Sequence, residues 1–144
     1  ALAEAFGGEL TPERAKALAS PFPEGLGGSG CVCGALSGGT LGLGAYLSAS
    51  LPRRKVRQAA RELHDAFKAA NQATCCRVLC KRVKSGSAEH FAQCAGLTGQ
   101  SGEMAARIIL EKRPELARGV DAGALEKKPS ALAAFLRRLA DWIG

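Results

Sequence analysis

Aromatic residues make up only 5% of this 144-residue chain, with a single Trp and a single Tyr. A surface that stacks nucleobases needs more rings, which argues against nucleic acid as a partner. β-Branched residues are scarce as well, so an extended sheet has little to build on. No apolar run approaches the roughly 20 residues of a membrane span. The stretch from Leu41 to Leu47 is apolar but short and glycine-rich. The start, Ala1-Leu2-Ala3-Glu4, lacks the basic region of a secretory signal. That points to the cytoplasm, with an exported form after signal removal left open.

Several chemical signatures are missing too. There is no pair of C-x₂-C units, and His64 and His90 lack the partner spacing of a zinc site. The glycine-rich stretch carries no G-K-[ST] and no strand precedes it, which argues against a nucleotide cofactor. C-x-x-C-H is absent, which argues against haem. Ser37 sits in no nucleophile elbow, and Glu103, Glu111 and Glu115 form no paired-carboxylate arrangement.

What is present is mostly helix-forming. Alanine and leucine are abundant and arginine is the commonest charged residue, all strong helix formers, although glycine is as frequent as leucine. Thr11-Pro12-Glu13 reads as an N-cap, a first-turn proline and an acidic first turn, with Ala15, Leu18 and Ala19 giving that helix its apolar face. A second helix is expected from Cys33 to about Ser48, in spite of internal glycines at 38, 39, 42 and 44. Leu51-Pro52 opens the clearest helix, to about Asn71, where Val56, Ala59, Ala60, Leu63, Phe67 and Ala70 recur at helical spacing and His64 lies at the boundary. Thr74 is placed to cap a short helix from Cys75 to about Val83. A turn or two follow from Ala88 to Cys94, then a loop from Gly96 to Gly102, then a helix from Glu103 to Lys112. Pro129 opens a last helix over 129–143, with Leu132, Phe135, Leu136, Leu139 and Ile143 as its stripe. The expected fold is all-α: a compact bundle of five to six helices in one domain spanning 1–144.

The net charge of +7 is clustered at Arg53, Arg54, Lys55, Arg57 and Arg61, at Lys81, Arg82 and Lys84, and at Lys127 and Lys128. Solvated helix faces account for most such runs; an acidic partner protein is the sharper alternative. Oligomeric state is not legible.

Six cysteines carry the chemistry. Their density is below that of a small disulfide scaffold, so they are either buried small apolar residues or a redox or metal set. Cys31 and Cys33 flank a valine in a glycine-rich loop, and a C-x-C pair can ligate metal or close a small disulfide. Cys33 stands at a helix N-terminus, where the dipole and free N–H groups favour thiolate; Cys75 and Cys76 stand in a comparable place. Cys76 and Cys80 share a helix face, a weak pattern, and Cys80 reads as structural. Gly30, Gly34 and Gly38 are the positions where backbone could approach a bound group closely, though tight helix packing explains such glycines equally well.

Cys33-Gly34-Ala35-Leu36-Ser37-Gly38 resembles the CGAxxG element of the C_GCAxxG_C_C family of redox-active proteins. The resemblance extends to about residue 110, through Phe22-Pro23-Glu24-Gly25-Leu26-Gly27, the glycine-bearing helix, Cys76-Arg77 and Cys94. It implies that Cys33, Cys76 and Cys94 correspond to the last three of four family cysteines. The first has no counterpart here: either the segment that carries it was removed or lost, or Cys31 or Cys75 substitutes for it. The family also resembles a domain of split-Soret cytochromes associated with an iron–sulfur centre.

Three functions follow as expectations. The first is electron transfer on an iron–sulfur cluster or other thiolate-bound metal, held by Cys33, Cys76 and Cys94 with Cys31 or Cys75. The second is metal-free thiol–disulfide chemistry with Cys33 and Cys76, or Cys33 and Cys31, as catalytic thiols. The third is a non-enzymatic helical interaction module with a basic face.

Overall fold

The structure is a computed structural model that describes residues 2–8 and 10–119. Among them lie six α-helices: α1 (Leu2–Phe6), α2 (Pro12–Ala19), α3 (Gly34–Leu47), α4 (Arg53–Asn71), α5 (Cys76–Leu79) and α6 (Ala88–Lys112). A 3₁₀ turn over Pro114–Gly119 follows. No strand occurs among the described residues, so the all-α expectation holds. The helix expected over 129–143 lies outside them.

The centre of the fold is α3, which packs along α6 and against α4. Leu43 and Leu47 of α3, Leu63 and Phe67 of α4 and Ile109 of α6 are fully buried. Each such side chain contributes about 1.5–3 kcal/mol by leaving water. Ala59, Leu63 and Phe67 form the buried stripe of α4, whereas Ala70, expected on it, is exposed near the end of the helix. Polar links fix the frame. Lys112 donates to Glu62 at 2.6 Å, tying α6 to α4. Arg113 Nη1 donates to the Tyr46 carbonyl at 2.9 Å, tying the end of α6 to α3. The Tyr46 ring packs edge-on to Phe6, 5.3 Å between centroids, which anchors α1.

The start of α2 follows the sequence: Thr11 Oγ1 accepts from the Arg14 N–H at 3.2 Å, and Pro12 occupies the first turn. Its face differs, because Leu18 is 53% exposed.

Two expectations are corrected. The stretch from Gly96 to Gly102 is helix, and α6 runs unbroken for 25 residues. Each of its glycines costs about 0.5–1 kcal/mol against alanine. Burial of Leu97, Ile108 and Ile109 along the same helix outweighs that cost. The helix expected from Cys75 to Val83 is only the four-residue α5, and Thr74 does not cap it: its carbonyl instead accepts the Cys33 N–H at 2.7 Å.

Candidate metal and redox site

The glycine-rich loop before α3 turns tightly. Glu24, Gly25, Leu26, Gly27, Gly28 and Gly30 all have positive φ. Gly25 could not be replaced without a rearrangement, because a Cβ there would lie 2.5 Å from the Cys31 backbone nitrogen. The loop is laced to the start of α5. The Arg77 N–H donates to the Gly30 carbonyl at 3.0 Å, and Arg77 Nη2 donates to the Ser29 carbonyl at 3.1 Å. Beside these bonds Cys31 and Cys75 form a disulfide across 44 positions of sequence. This lacing brings the start of α3, with Cys33, next to the start of α5, with Cys76.

The disulfide corrects two expectations. While bonded to each other, Cys31 and Cys75 offer no thiolate to a metal. Cys33 is also not paired with Cys31. The free thiols among the described residues are Cys33, Cys76, Cys80 and Cys94.

All four line one cavity of about 570 Å³, together with His90. Its walls come from α1, α2, the loop, α3, α5 and α6. Cys33 is the N-cap of α3 and only 3% exposed; Cys76 and Cys80 stand at the two ends of α5; Cys94 projects from α6. The ligand atoms of Cys80, His90 and Cys94 all lie within 4.8 Å of one another. Cys33 and Cys76 interact directly. Cys80 interacts with Cys94 most strongly and with Cys76 and Cys33 as well, so the four sulfurs share one electrostatic environment.

Electrostatics at Cys33 reverse the expectation of a readily formed thiolate. The Ala35 and Leu36 N–H groups at the start of α3 do favour the anion. Burial outweighs them, the Cys76 sulfur adds to it, and the thiol is pushed above its ordinary range. Cys80 is pushed up to about 11, by burial first and then by Cys94. Without a cation these thiols stay protonated at neutral pH.

The three glycines expected near a bound group separate. Gly30 lies outside the cavity lining, with the Arg77 side chain 3.1 Å from where a Cβ would stand. Gly34 lines the cavity with its backbone pressed against Phe22, where a Cβ would lie 2.6 Å from the carbonyl oxygen. Gly38 also lines the cavity, and a Cβ there would meet nothing within 4 Å. His64 is outside the site, paired with Asp65 at 2.9 Å on the exposed face of α4.

Sequence reasoning missed Cys80 and His90 as members of this cluster. The available signals were the i, i+4 spacings Cys76–Cys80, read as a weak pattern, and His90–Cys94, whose two residues both fall within the helical turns expected from Ala88 to Cys94.

No helix among the described residues is long and apolar enough to cross a membrane. No curated protein and no solved structure matches the chain. A family model described as "Putative redox-active protein (C_GCAxxG_C_C)" matches residues 1–108. That match takes in the glycine-rich loop, α3, α5 and the cysteine and histidine of α6, and by it the chain belongs to the C_GCAxxG_C_C family of redox-active proteins.

Proposed function

We propose that this protein carries electrons on a thiolate-bound metal centre, an iron–sulfur cluster, held by Cys33, Cys76, Cys80 and Cys94. The observation that carries the reading is that four free thiols, from three separate elements, line one cavity. Thiolates are the usual ligands of such clusters. The donor set fits: four sulfurs, two N–H groups of α3 directed at Cys33, and a largely apolar chamber around them. When bound, the cluster supplies a one-electron couple.

The protein's own part is to assemble and shield. The bonds between the loop and α5 hold Cys33 against Cys76, and α6 delivers Cys94 beside Cys80. The Ala35 and Leu36 N–H groups stabilise negative charge on the Cys33 sulfur. Because burial keeps the metal-free Cys33 and Cys80 thiols protonated, loading the site releases protons. The exposed Arg53, Arg54, Lys55, Arg57 and Arg61 of α4 support docking of an acidic electron-transfer partner.

A second reading has one observation in its favour. The Cys31–Cys75 disulfide stands next to Cys33 and Cys76 in both segments, so thiol–disulfide exchange has an oxidised pair at hand. The raised Cys33 thiol weighs against it, since attack requires the thiolate.

Thiol protection separates the two. The reduced protein is loaded with iron and sulfide under anaerobic conditions, alkylated, and read by mass spectrometry. Protection of Cys33, Cys76, Cys80 and Cys94 together is the expected result. Full alkylation of all four after loading removes the metal reading.

A further inference from the structure

His90 belongs to the Cys80–His90–Cys94 group, and its side chain is buried, with the residue only 6% exposed. Its proximity alone would make it a third metal ligand. The hydrogen bonds say otherwise. The backbone N–H of Gly86 donates to His90 Nδ1 at 3.2 Å. An accepting nitrogen carries no proton, so the neutral ring holds its proton on Nε2. Nε2 faces the Cys94 sulfur at 3.6 Å. A protonated ring nitrogen has no lone pair for a metal, but it does have an N–H for a sulfur.

The ring is held in that orientation. Ser87 caps α6 and accepts the His90 backbone N–H at 3.2 Å, so the turn that supplies the Gly86 N–H and the helix that carries the imidazole are joined at the same place.

We propose that His90 is a positioning residue that donates an Nε2–H hydrogen bond to the Cys94 sulfur, and that it does not ligate the metal. Its effect on a metal centre rests on the reading above, whereas the tautomer is a property of the chain alone. A hydrogen bond to a ligating sulfur stabilises the more negative, reduced state, and so raises the reduction potential.

The test uses the full chain with nitrogen-isotope labelling and long-range proton–nitrogen correlation spectra. In the metal-free reduced protein, with the ring neutral, the His90 proton is expected on Nε2. After loading with spin-active cadmium, that proton is expected to remain, with metal coupling to cysteine protons and none to His90 nitrogens. A proton on Nδ1, or a cadmium coupling to His90 Nε2, overturns the proposal. Two variants add a readout that mere packing would not move. His90→Leu removes the donor, and the iron-loaded protein is expected to shift to a more negative potential. His90→Gln keeps an N–H donor and is expected to return most of the shift. Equal potentials in the two variants would also overturn the proposal. A chain that takes up neither cadmium nor iron removes the metal-centre reading instead, and the tautomer still decides the assignment of His90.

Discussion

Cys80 is the residue whose role the three-dimensional arrangement changes most. Its neighbours Leu79 and Lys81 suggest an ordinary structural cysteine, yet it lines the same cavity as Cys33, Cys76 and Cys94. Its thiol, pushed up to about 11 from an ordinary value of 9.0, has a consequence for stability. A raised folded-state value means the folded chain holds its proton more tightly than the unfolded chain. The associated stabilisation is fully present below about 9 and is lost as the pH rises towards about 11. Denaturant titrations of the reduced, metal-free protein across that window are expected to show falling stability, and Cys80→Ser is expected to flatten the fall. Alkylation at graded pH offers a second check: Cys80 and Cys33 are expected to react only well above neutrality. Cys80→Ser is also expected to lower iron retention by about tenfold or more, the order typical of losing support at a metal site, while Cys31→Ser retains the metal. Equal retention in both would remove Cys80 from the ligand set.

At the scale of elements, α3 explains its own glycines. Gly39 and Gly42 are buried where neighbours come close: a Cβ at Gly39 would stand 2.6 Å from Ser101 Oγ of α6, and one at Gly42 2.5 Å from the Leu2 side chain. Gly38 faces open cavity. Gly38→Ala is therefore expected to stabilise the chain by about 0.5–1 kcal/mol, the helix-propensity difference. Gly39→Ala is expected to destabilise it, because the α3–α6 contact must open; chemical denaturation of both variants measures the pair. A larger side chain at Gly38 fills the chamber beside the thiols and is expected to impair metal loading without unfolding the bundle. The elements also show what the sequence made legible. Capping at Thr11, the stripe of α4 as far as Phe67 and the start of α3 at Cys33 are local signals, and they read correctly. The continuity of α6 does not read from local signals, because glycines at 96, 99 and 102 argue for a loop. Packing against α3 overrides them. The pairing of Cys31 with Cys75 is likewise set by the lacing of two distant segments, and spacing alone cannot reveal it.

At the scale of the whole molecule, the described residues form a helical frame that joins three distant stretches of chain at one cavity. The Cys31–Cys75 disulfide closes the longest part of that circuit, across 44 positions. A cross-link of that span stabilises by about 2–4 kcal/mol, chiefly by restricting the unfolded chain. The Cys31→Ala, Cys75→Ala double variant is expected to lose about that much in a denaturant titration of the metal-free protein. The loss should fall on global stability, since Cys33 and Cys76 remain held by the Cys33–Thr74 and Gly30–Arg77 backbone bonds. The central claim concerns what the cavity holds. It is tested most directly by purifying the full chain without oxygen and determining iron and acid-labile sulfide per chain alongside the visible spectrum. Bound iron and sulfide in comparable amounts, with sulfur-to-iron charge-transfer absorption that bleaches on reduction, is the result predicted. A colourless protein that carries no iron or sulfide, and takes up neither on anaerobic reconstitution, would contradict it.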